Sequence, residues 1–301
     1  MKIYKYSPGD AIPEKRVIAL GFFDGVHRGH RAILEAAVKE SERLSLPSAV
    51  FTFFSESDGL KGAKRIYGTD EKIRLAEKCG IDEIILADFN AVRNISAADF
   101  AEKILISELG CATALCGTDF RFGKGALGDV SLLRSILNEG GAALITPAAV
   151  CDGGDKISSS FIKKLLGEGK VKRAAELLGE PYSVLGEIRH GLGLGKKFGF
   201  PTVNTEISES EPDLPSGVYK CSVEIDGKDY GALTNVGTCP TVGKREKHRE
   251  TYIIGYCSDA YGMKVRISFL DFIREEKKFD SAEELTNQIN EDIKKAFGSE
   301  D

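Results

Sequence analysis

Two histidines three residues apart, His27 and His30, stand among Gly21, Gly25 and Gly29 in a single short segment. The apolar run Val17, Ile18, Ala19 and Leu20 precedes them, and Ile33, Leu34, Ala37 and Val38 follow at helical spacing. Strand, glycine turn and helix start form a phosphate-binding geometry. The first turn of a helix offers unpaired N–H groups and the positive end of the macrodipole, and glycines let an anion approach the backbone. Two imidazoles add donors at the same place. Histidines at this spacing without such a context would read as an ordinary surface or core pair; the strand and glycines favour phosphate binding. Neither the Walker pattern nor the dinucleotide fingerprint opens a helix in this chain.

Four further groups of residues bear on the same chemistry. Gly117 to Gly123 follows a predicted strand, where Arg121 suits a phosphate and Phe120 and Phe122 suit a planar ring; the competing reading is a glycine loop that covers the sheet. Ser158, Ser159 and Ser160, with Lys163, open a helix. They read as N-caps or as a clamp on a leaving pyrophosphate. Gly191, Gly193, Gly195, Lys196, Lys197 and Gly199 precede Thr202 and Asn204. In an extended chain those last two share a face and offer two hard oxygens to Mg²⁺. Glu250, placed just ahead of a strand predicted over 251–257, is the candidate carboxylate beside an attacking hydroxyl; the basic run from Lys244 to Arg249 leaves open a solvated charge.

The elements that must hold these groups fall into two halves. A length of 301 residues favours two domains, divided here at 182/183. Up to that point short apolar runs (17–20, 48–54, 83–86, 113–116, 142–146) alternate with amphipathic helices, as in a Rossmann-like α/β fold with a parallel sheet. Beyond it the period changes to two. Tyr219, Cys221, Val223 and Ile225 alternate with polar residues, Asp226-Gly227 supplies a hairpin turn, and Val265, Ile267 and Phe269 repeat the alternation. That pattern predicts a small antiparallel Greek-key β-barrel. Ser281 and Glu284 then cap a C-terminal helix with Leu285, Ile289, Ile293 and Phe297 on one face.

With 42% hydrophobic and 29% charged residues and a net charge of −5, the composition is that of an ordinary globular protein and argues against a general nucleic-acid binder. Seven cysteines without paired spacing read as reduced thiols, with Cys111 and Cys116 packed beside a strand. No segment has the character of a signal peptide or membrane span, so the expected location is cytoplasmic, with no membrane partner.

The segment around His27 and His30 resembles the H-x-G-H signature of nucleotidyltransferases. Phe23 to His30, Gly117 to Gly123, Ile157 to Ser160, Gly199 to Asn204, Gly217 to Tyr219, Asn235 to Gly237 and Arg274 to Phe279 together resemble the bacterial bifunctional riboflavin kinase/FMN adenylyltransferases, or FAD synthetases. The resemblance implies that ATP phosphorylates riboflavin in the barrel and adenylates FMN in the α/β domain. It implies an ATP site for adenylyl transfer at Gly21, Phe23, Asp24, His27, Gly29 and His30, closed by Ser158, Ser159, Ser160 and Lys163, with the two histidines catalytic. Asp119, Phe120 and Arg121 would face the flavin. In the kinase it implies that Gly193, Gly195, Lys196, Gly199, Thr202 and Asn204 hold Mg-ATP, that Thr202 and Asn204 reach the metal, that Glu250 is the base, and that Arg274 lies near riboflavin. The small-molecule partners would be ATP, riboflavin and FMN. Family departures include Phe22 in place of Asn, Lys163 in place of Arg, a 52–57 segment without prolines, Cys239 in place of Arg, Val242 in place of Phe and Tyr252 in place of His. Those in the first half leave the alternative of a kinase with a degenerate adenylyltransferase half; a flavin- or nucleotide-binding protein without turnover is an alternative of a different class.

Overall fold

In the computed structural model, residues 1–54, 64–189, 199–241, 244–256, 258 and 260–298 are described. The chain separates into two compact units, Met1–Ser159 and Ser160–Asp301.

The first unit is built on a parallel sheet of six strands: β1 (Lys2–Tyr6), β2 (Arg16–Leu20), β3 (Ser48–Phe53), β4 (Glu83–Ala87), β5 (Cys111–Leu115) and β6 (Ala143–Ile145). Their spatial order is β1-β4-β3-β2-β5-β6. Every residue of β2 is buried, as expected of a central parallel strand covered on both faces. Edge strand β1 was not legible as a periodic run: Lys2, Ile3 and Lys5 are exposed, and pairing with β4 holds it. Helix α1 (Arg28–Leu44) packs on β2, β3 and β5 through a face that includes Ile33, Leu34 and Ala37. The sheet order reverses between β2 and β5. At such a switch point the loops leaving the carboxyl ends of two neighbouring strands diverge and open a crevice. The histidine turn follows β2 and the Gly117–Gly123 loop follows β5, so topology brings these segments to that crevice.

Local signals behave as their chemistry requires. Gly80 takes φ +85° just past α2 (Thr69–Lys78). Beyond α3 (Phe89–Val92) the Ser96 hydroxyl accepts the Asp99 N–H at 3.0 Å at the start of α4 (Ala97–Asp99), and the Asp129 carboxylate caps α5 (Val130–Glu139) by accepting the Leu132 N–H at 2.9 Å. Cys111 and Cys116 are fully buried, and burial pushes their thiols up to about 12 and about 11.

After a two-stranded ribbon of β7 (Cys151–Asp152) and β8 (Asp155–Lys156), the second unit contains β9 (Tyr182–Glu187), β10 (Thr202–Glu206), β11 (Gly217–Ile225), β12 (Lys228–Thr241), β13 (Lys244–Ile253) and β14 (Lys264–Glu275). They form one antiparallel sheet in the order β10-β13-β12-β11-β14-β9, curved into a half-barrel. The β11–β14 register shifts twice, and each bulge bends the sheet. Asp226 and Gly227 turn the β11–β12 hairpin with φ of +50° and +71°, the pair of left-handed residues that matches strand twist. Helix α7 (Val171–Leu178) packs on β14 and β9, and the C-terminal helix, α8 (Ala282–Phe297), packs on β12 and β14.

Candidate functional site

The turn after β2 is wound tightly. Phe23 and Val26 adopt φ of +49° and +39°, a left-handed conformation that is costly for a β-branched residue, and Gly25 lies at +85° between them. A Cβ on Gly25 would stand 2.7 Å from Ile66 Cδ1. The turn is held from outside: the Asp24 carboxylate accepts the Ile66 N–H at 2.8 Å, and the Ser159 hydroxyl donates to the Asp24 carbonyl at 2.8 Å. Asp24 and Ser159 therefore shape the loop.

His27 caps α1, its Nδ1 accepting the His30 N–H at 3.3 Å. In a neutral ring that acceptor places the proton on Nε2, leaving Nε2 as a donor. The two imidazoles stack at 3.6 Å with 15° between planes, and Phe23 meets His30 edge-on at 5.3 Å. Gly29 gives this stack its room, since a Cβ there would lie 3.2 Å from the His27 ring. Burial draws the His27 pKa down to about 4 against the opposing pull of Asp24, and burial together with His27 draws His30 well below the ordinary imidazole value. Both rings are thus neutral donors at neutral pH. His30 Nδ1 is buried and without a hydrogen-bond partner among the described residues.

Beside this turn lies a cavity of about 730 Å³ that includes Gly21, Phe22, Phe53, Phe89, Phe120 and Arg121 in its walls. Phe22 packs on Phe53 at 5.3 Å and on Phe89 at 6.0 Å, and Arg65 stands 5.0 Å over its ring. Phe120 and Phe122 lie parallel at 5.8 Å. Asp119 pairs with Lys156 at 2.5 Å, which holds its carboxyl below the usual range. Arg121 is more than half exposed and 3.9 Å from Asp129. Phe120 and Arg121 are legible as site residues in the sequence, whereas Phe53 and Phe89 are not. Their only linear signal is aromatic content, and the fold gathers them from separate elements.

Ser159 starts α6 (Ser159–Gly167), and Ser158 precedes it. Ser160 and Lys163 occupy the first two turns of α6 and belong to the second compact unit.

In the second unit a row of cross-strand partners forms. Asn204 on β10 stands opposite Glu250 on β13, Glu250 opposite Asn235 on β12, Asn235 opposite Val218 on β11, and Val218 opposite Arg274 on β14. Directly paired residues project from the same face of a sheet. In the adjacent row on that face Thr202 pairs with Tyr252 and Tyr252 with Leu233. The Thr202 hydroxyl donates to Glu250 Oε1. Glu250 thus lies inside β13, within a strand that starts at Lys244, where the sequence placed it just ahead of a strand. Pairing with β12 over ten positions overrides the basic run, and Arg249 is buried against Glu211.

Thr202, Glu250 and Arg274 line a cavity of about 340 Å³ between this face and α8, which contributes Leu285, Ile289 and Asp292. Asp292 is buried and clasps Arg274, with both carboxylate oxygens 2.9 Å from Nε. A carboxylate at helical spacing from Leu285, Ile289 and Ala296 on the apolar face of α8 is its signal in the sequence. Phe200 meets Tyr252 edge-on at 5.2 Å, and Gly199 takes φ +84°. Gly193, Gly195, Lys196 and Val242 lie outside the described residues.

Three oxygens of the types Mg²⁺ prefers, from the Thr202 hydroxyl, the Asn204 amide and the Glu250 carboxylate, come from residues on one patch of this face. That donor set suits a magnesium nucleotide. Among the described residues no group of three His, Cys, Asp or Glu side chains forms a metal site.

Comparison with known proteins matches these two arrangements separately. The family model for FAD synthetase matches residues 10–161 and that for riboflavin kinase matches 178–298. Proteins named bifunctional riboflavin kinase/FMN adenylyltransferase are similar over nearly their whole length. That of Escherichia coli (strain K12) is 33% identical over 92% of this chain and 90% of its own, and that of Bacillus subtilis (strain 168) is 32% identical over 94% and 92%. A crystal structure of a macrolide-efflux protein from Streptococcus pneumoniae superposes with a TM-score of 0.88 at 28% identity, covering 98% of this chain and 99% of that one. Among the described residues no helix is long and apolar enough to cross a membrane.

Proposed function

Because this chain belongs to the bifunctional riboflavin kinase/FMN adenylyltransferase family, phosphorylating riboflavin with ATP and adenylating FMN with ATP, we propose how its residues divide the two reactions. In the antiparallel unit Glu250 is the base that takes the proton of the riboflavin 5′-hydroxyl. The hydroxyl oxygen forms a bond to the γ-phosphorus as the β–γ bridge breaks and ADP leaves. Thr202 and Asn204 hold the nucleotide's Mg²⁺, which when bound neutralises charge on the phosphates. Gly193, Gly195, Lys196 and Gly199 bind those phosphates, and Arg274, held by Asp292, faces the flavin. The observation that carries this reading is the placement of Glu250 opposite Asn204 with its carboxylate bonded to Thr202, at the wall of a cavity of about 340 Å³.

In the α/β unit the neutral imidazoles of His27 and His30 donate to the ATP phosphates beside the positive end of α1, with Gly21, Phe23, Asp24 and Gly29 shaping the loop. The FMN phosphate attacks the α-phosphorus and pyrophosphate leaves toward the hydroxyls of Ser158 and Ser159 at the end of this unit. Asp119, Phe120 and Arg121 receive the flavin. The orphaned Nδ1 of His30 and the phenylalanine-lined cavity support this assignment. The working division falls at 182/183, consistent with a kinase match that begins at 178. The strand order β14-β11-β12-β13, in which the fourth strand returns beside the first, supports a Greek key, and the bond from Arg189 N to Asn204 O at 2.8 Å supports closure toward a barrel. The enzyme works in the cytoplasm on small molecules, without nucleic acid.

A Mg-ATP reaction started separately from riboflavin and from FMN, with FMN, FAD and pyrophosphate resolved over time, tests this reading. FAD from both starts is expected. No FMN from riboflavin overturns the kinase assignment, and no FAD from FMN overturns the adenylyltransferase assignment.

A further inference from the structure

Asn235 occupies a costly position. It sits mid-strand in β12, directly opposite Glu250 on one side and Val218 on the other, and it lines the cavity under α8. Its Oδ1 is buried without a hydrogen-bond donor among the described residues. Leaving a buried amide oxygen unpaired costs stability that an apolar residue, such as neighbouring Val218 or Leu233, would not incur. The amide is also seated: a Cβ on Gly237 would lie 3.2 Å from its Nδ2 and 2.5 Å from Glu276 Oε1, so the missing side chain at Gly237 leaves Asn235 its room.

The missing partner must donate. Phosphate oxygens at neutral pH only accept, so the nucleotide's phosphates cannot satisfy Oδ1. The alcohol substrate can, because riboflavin carries a chain of hydroxyls and a ring N–H. The position of Asn235 selects between those. Its cross-strand neighbour Glu250 is the group that receives the terminal hydroxyl, and a residue directly opposite on the adjacent strand lies within reach of the next part of the same chain.

We propose that Asn235 binds an internal hydroxyl of the riboflavin side chain and thereby turns the terminal hydroxyl toward Glu250. The proposal rests on the kinase reading above and deepens it. One hydrogen bond then does two things: it satisfies the orphaned oxygen, and it fixes the torsions that separate a productive terminal hydroxyl from a wandering one.

The test is a cycle between enzyme and substrate. kcat/KM at saturating Mg-ATP is measured for riboflavin, for analogues lacking one internal side-chain hydroxyl each, and for an analogue methylated at the ring N–H, using the intact enzyme, Asn235→Ala and Asn235→Ser. In the intact enzyme one deoxy analogue loses about 10- to 100-fold, the range expected when a buried acceptor is left without its donor. Asn235→Ala loses a similar factor on riboflavin and is indifferent, within about twofold, to removal of that same hydroxyl. Asn235→Ser recovers part of the discrimination. An intact enzyme that tolerates loss of every internal hydroxyl overturns the proposal without recourse to any variant. Coupling of Asn235 to the ring methyl in place of a hydroxyl overturns it as well. Glu250→Gln separates the two levels: if that variant keeps full kcat, the base assignment fails, while the Asn235 cycle still reports on the hydroxyl contact.

Discussion

Acidification should weaken the α/β unit through His27, and the size of the effect follows from its burial. The folded imidazole has its pKa drawn down to about 4 from 6.5, with desolvation the main cause and Asp24 opposing it. Between those values the unfolded chain binds a proton that the folded chain refuses. Stability is therefore complete above pH 6.5 and declines as pH falls toward 4. Between pH 7 and pH 5 the loss from His27 alone comes to about 2 kcal/mol. His30, shifted in the same direction, adds to it. Hydrogen exchange of peptides from β2 and α1, in the ligand-free enzyme and corrected for intrinsic exchange rates, should show opening free energies lower by at least this amount at pH 5. His27→Asn keeps a side chain able to cap α1 and cannot take up a proton, so about 2 kcal/mol of the pH dependence disappears. Imidazole NMR offers a direct view, with His27 still neutral at pH 5. A His27 titration midpoint between pH 6 and 7, or an unchanged pH dependence in His27→Asn, refutes the reasoning.

Other expectations separate the two activities. Glu250→Gln should lower riboflavin phosphorylation by about 10²- to 10⁴-fold while leaving FAD formation from FMN intact, as product-resolved assays from each starting flavin would show. Gly25→Ala combines a left-handed backbone at φ +85° with a 2.7 Å approach to Ile66 Cδ1. It should cost about 1–3 kcal/mol and depress adenylyl transfer but not phosphorylation, with partial recovery in the Gly25→Ala/Ile66→Ala double variant. Asp292→Ala strands the mostly buried Arg274 and should destabilise the second unit by about 3–5 kcal/mol in urea unfolding, while raising KM for riboflavin more than KM for Mg-ATP.

What was legible in the chain was legible for local reasons. The apolar runs of β2, β3 and β4 announce buried strands because both faces are covered, and Asp226-Gly227 announces a hairpin because two successive left-handed residues suit little else. Ser281 caps α8 as expected, accepting the Glu284 N–H at 3.2 Å. Strand β1 carries no periodic signal, because three of its five residues are exposed at the sheet edge. Residues 100–108 form a π-helix, which hydrophobic spacing cannot distinguish from an ordinary helical turn. The basic run before Glu250 suggested solvent, whereas Arg249 is buried and ion-paired. Charge reports the cost of burial but not whether a partner arrives from elsewhere to meet it.

By itself the sequence determined the inventory: glycine turns at helix starts, hard oxygen donors, a candidate base, and the order of motifs that marks the family. Those follow from residue type and near-neighbour spacing, which backbone sterics and periodicity translate without reference to the rest of the chain. Only tertiary structure decided which of them meet. Asn204, Asn235 and Glu250 come from three strands and stand in one row because of the register of β10, β13 and β12, and Arg274 is oriented by an aspartate on a helix eighteen residues further on. Register is a property of long-range pairing. It is set when one face of the sheet is buried and a slip of one residue would turn that whole face outward, a condition that exists only once the strands are together.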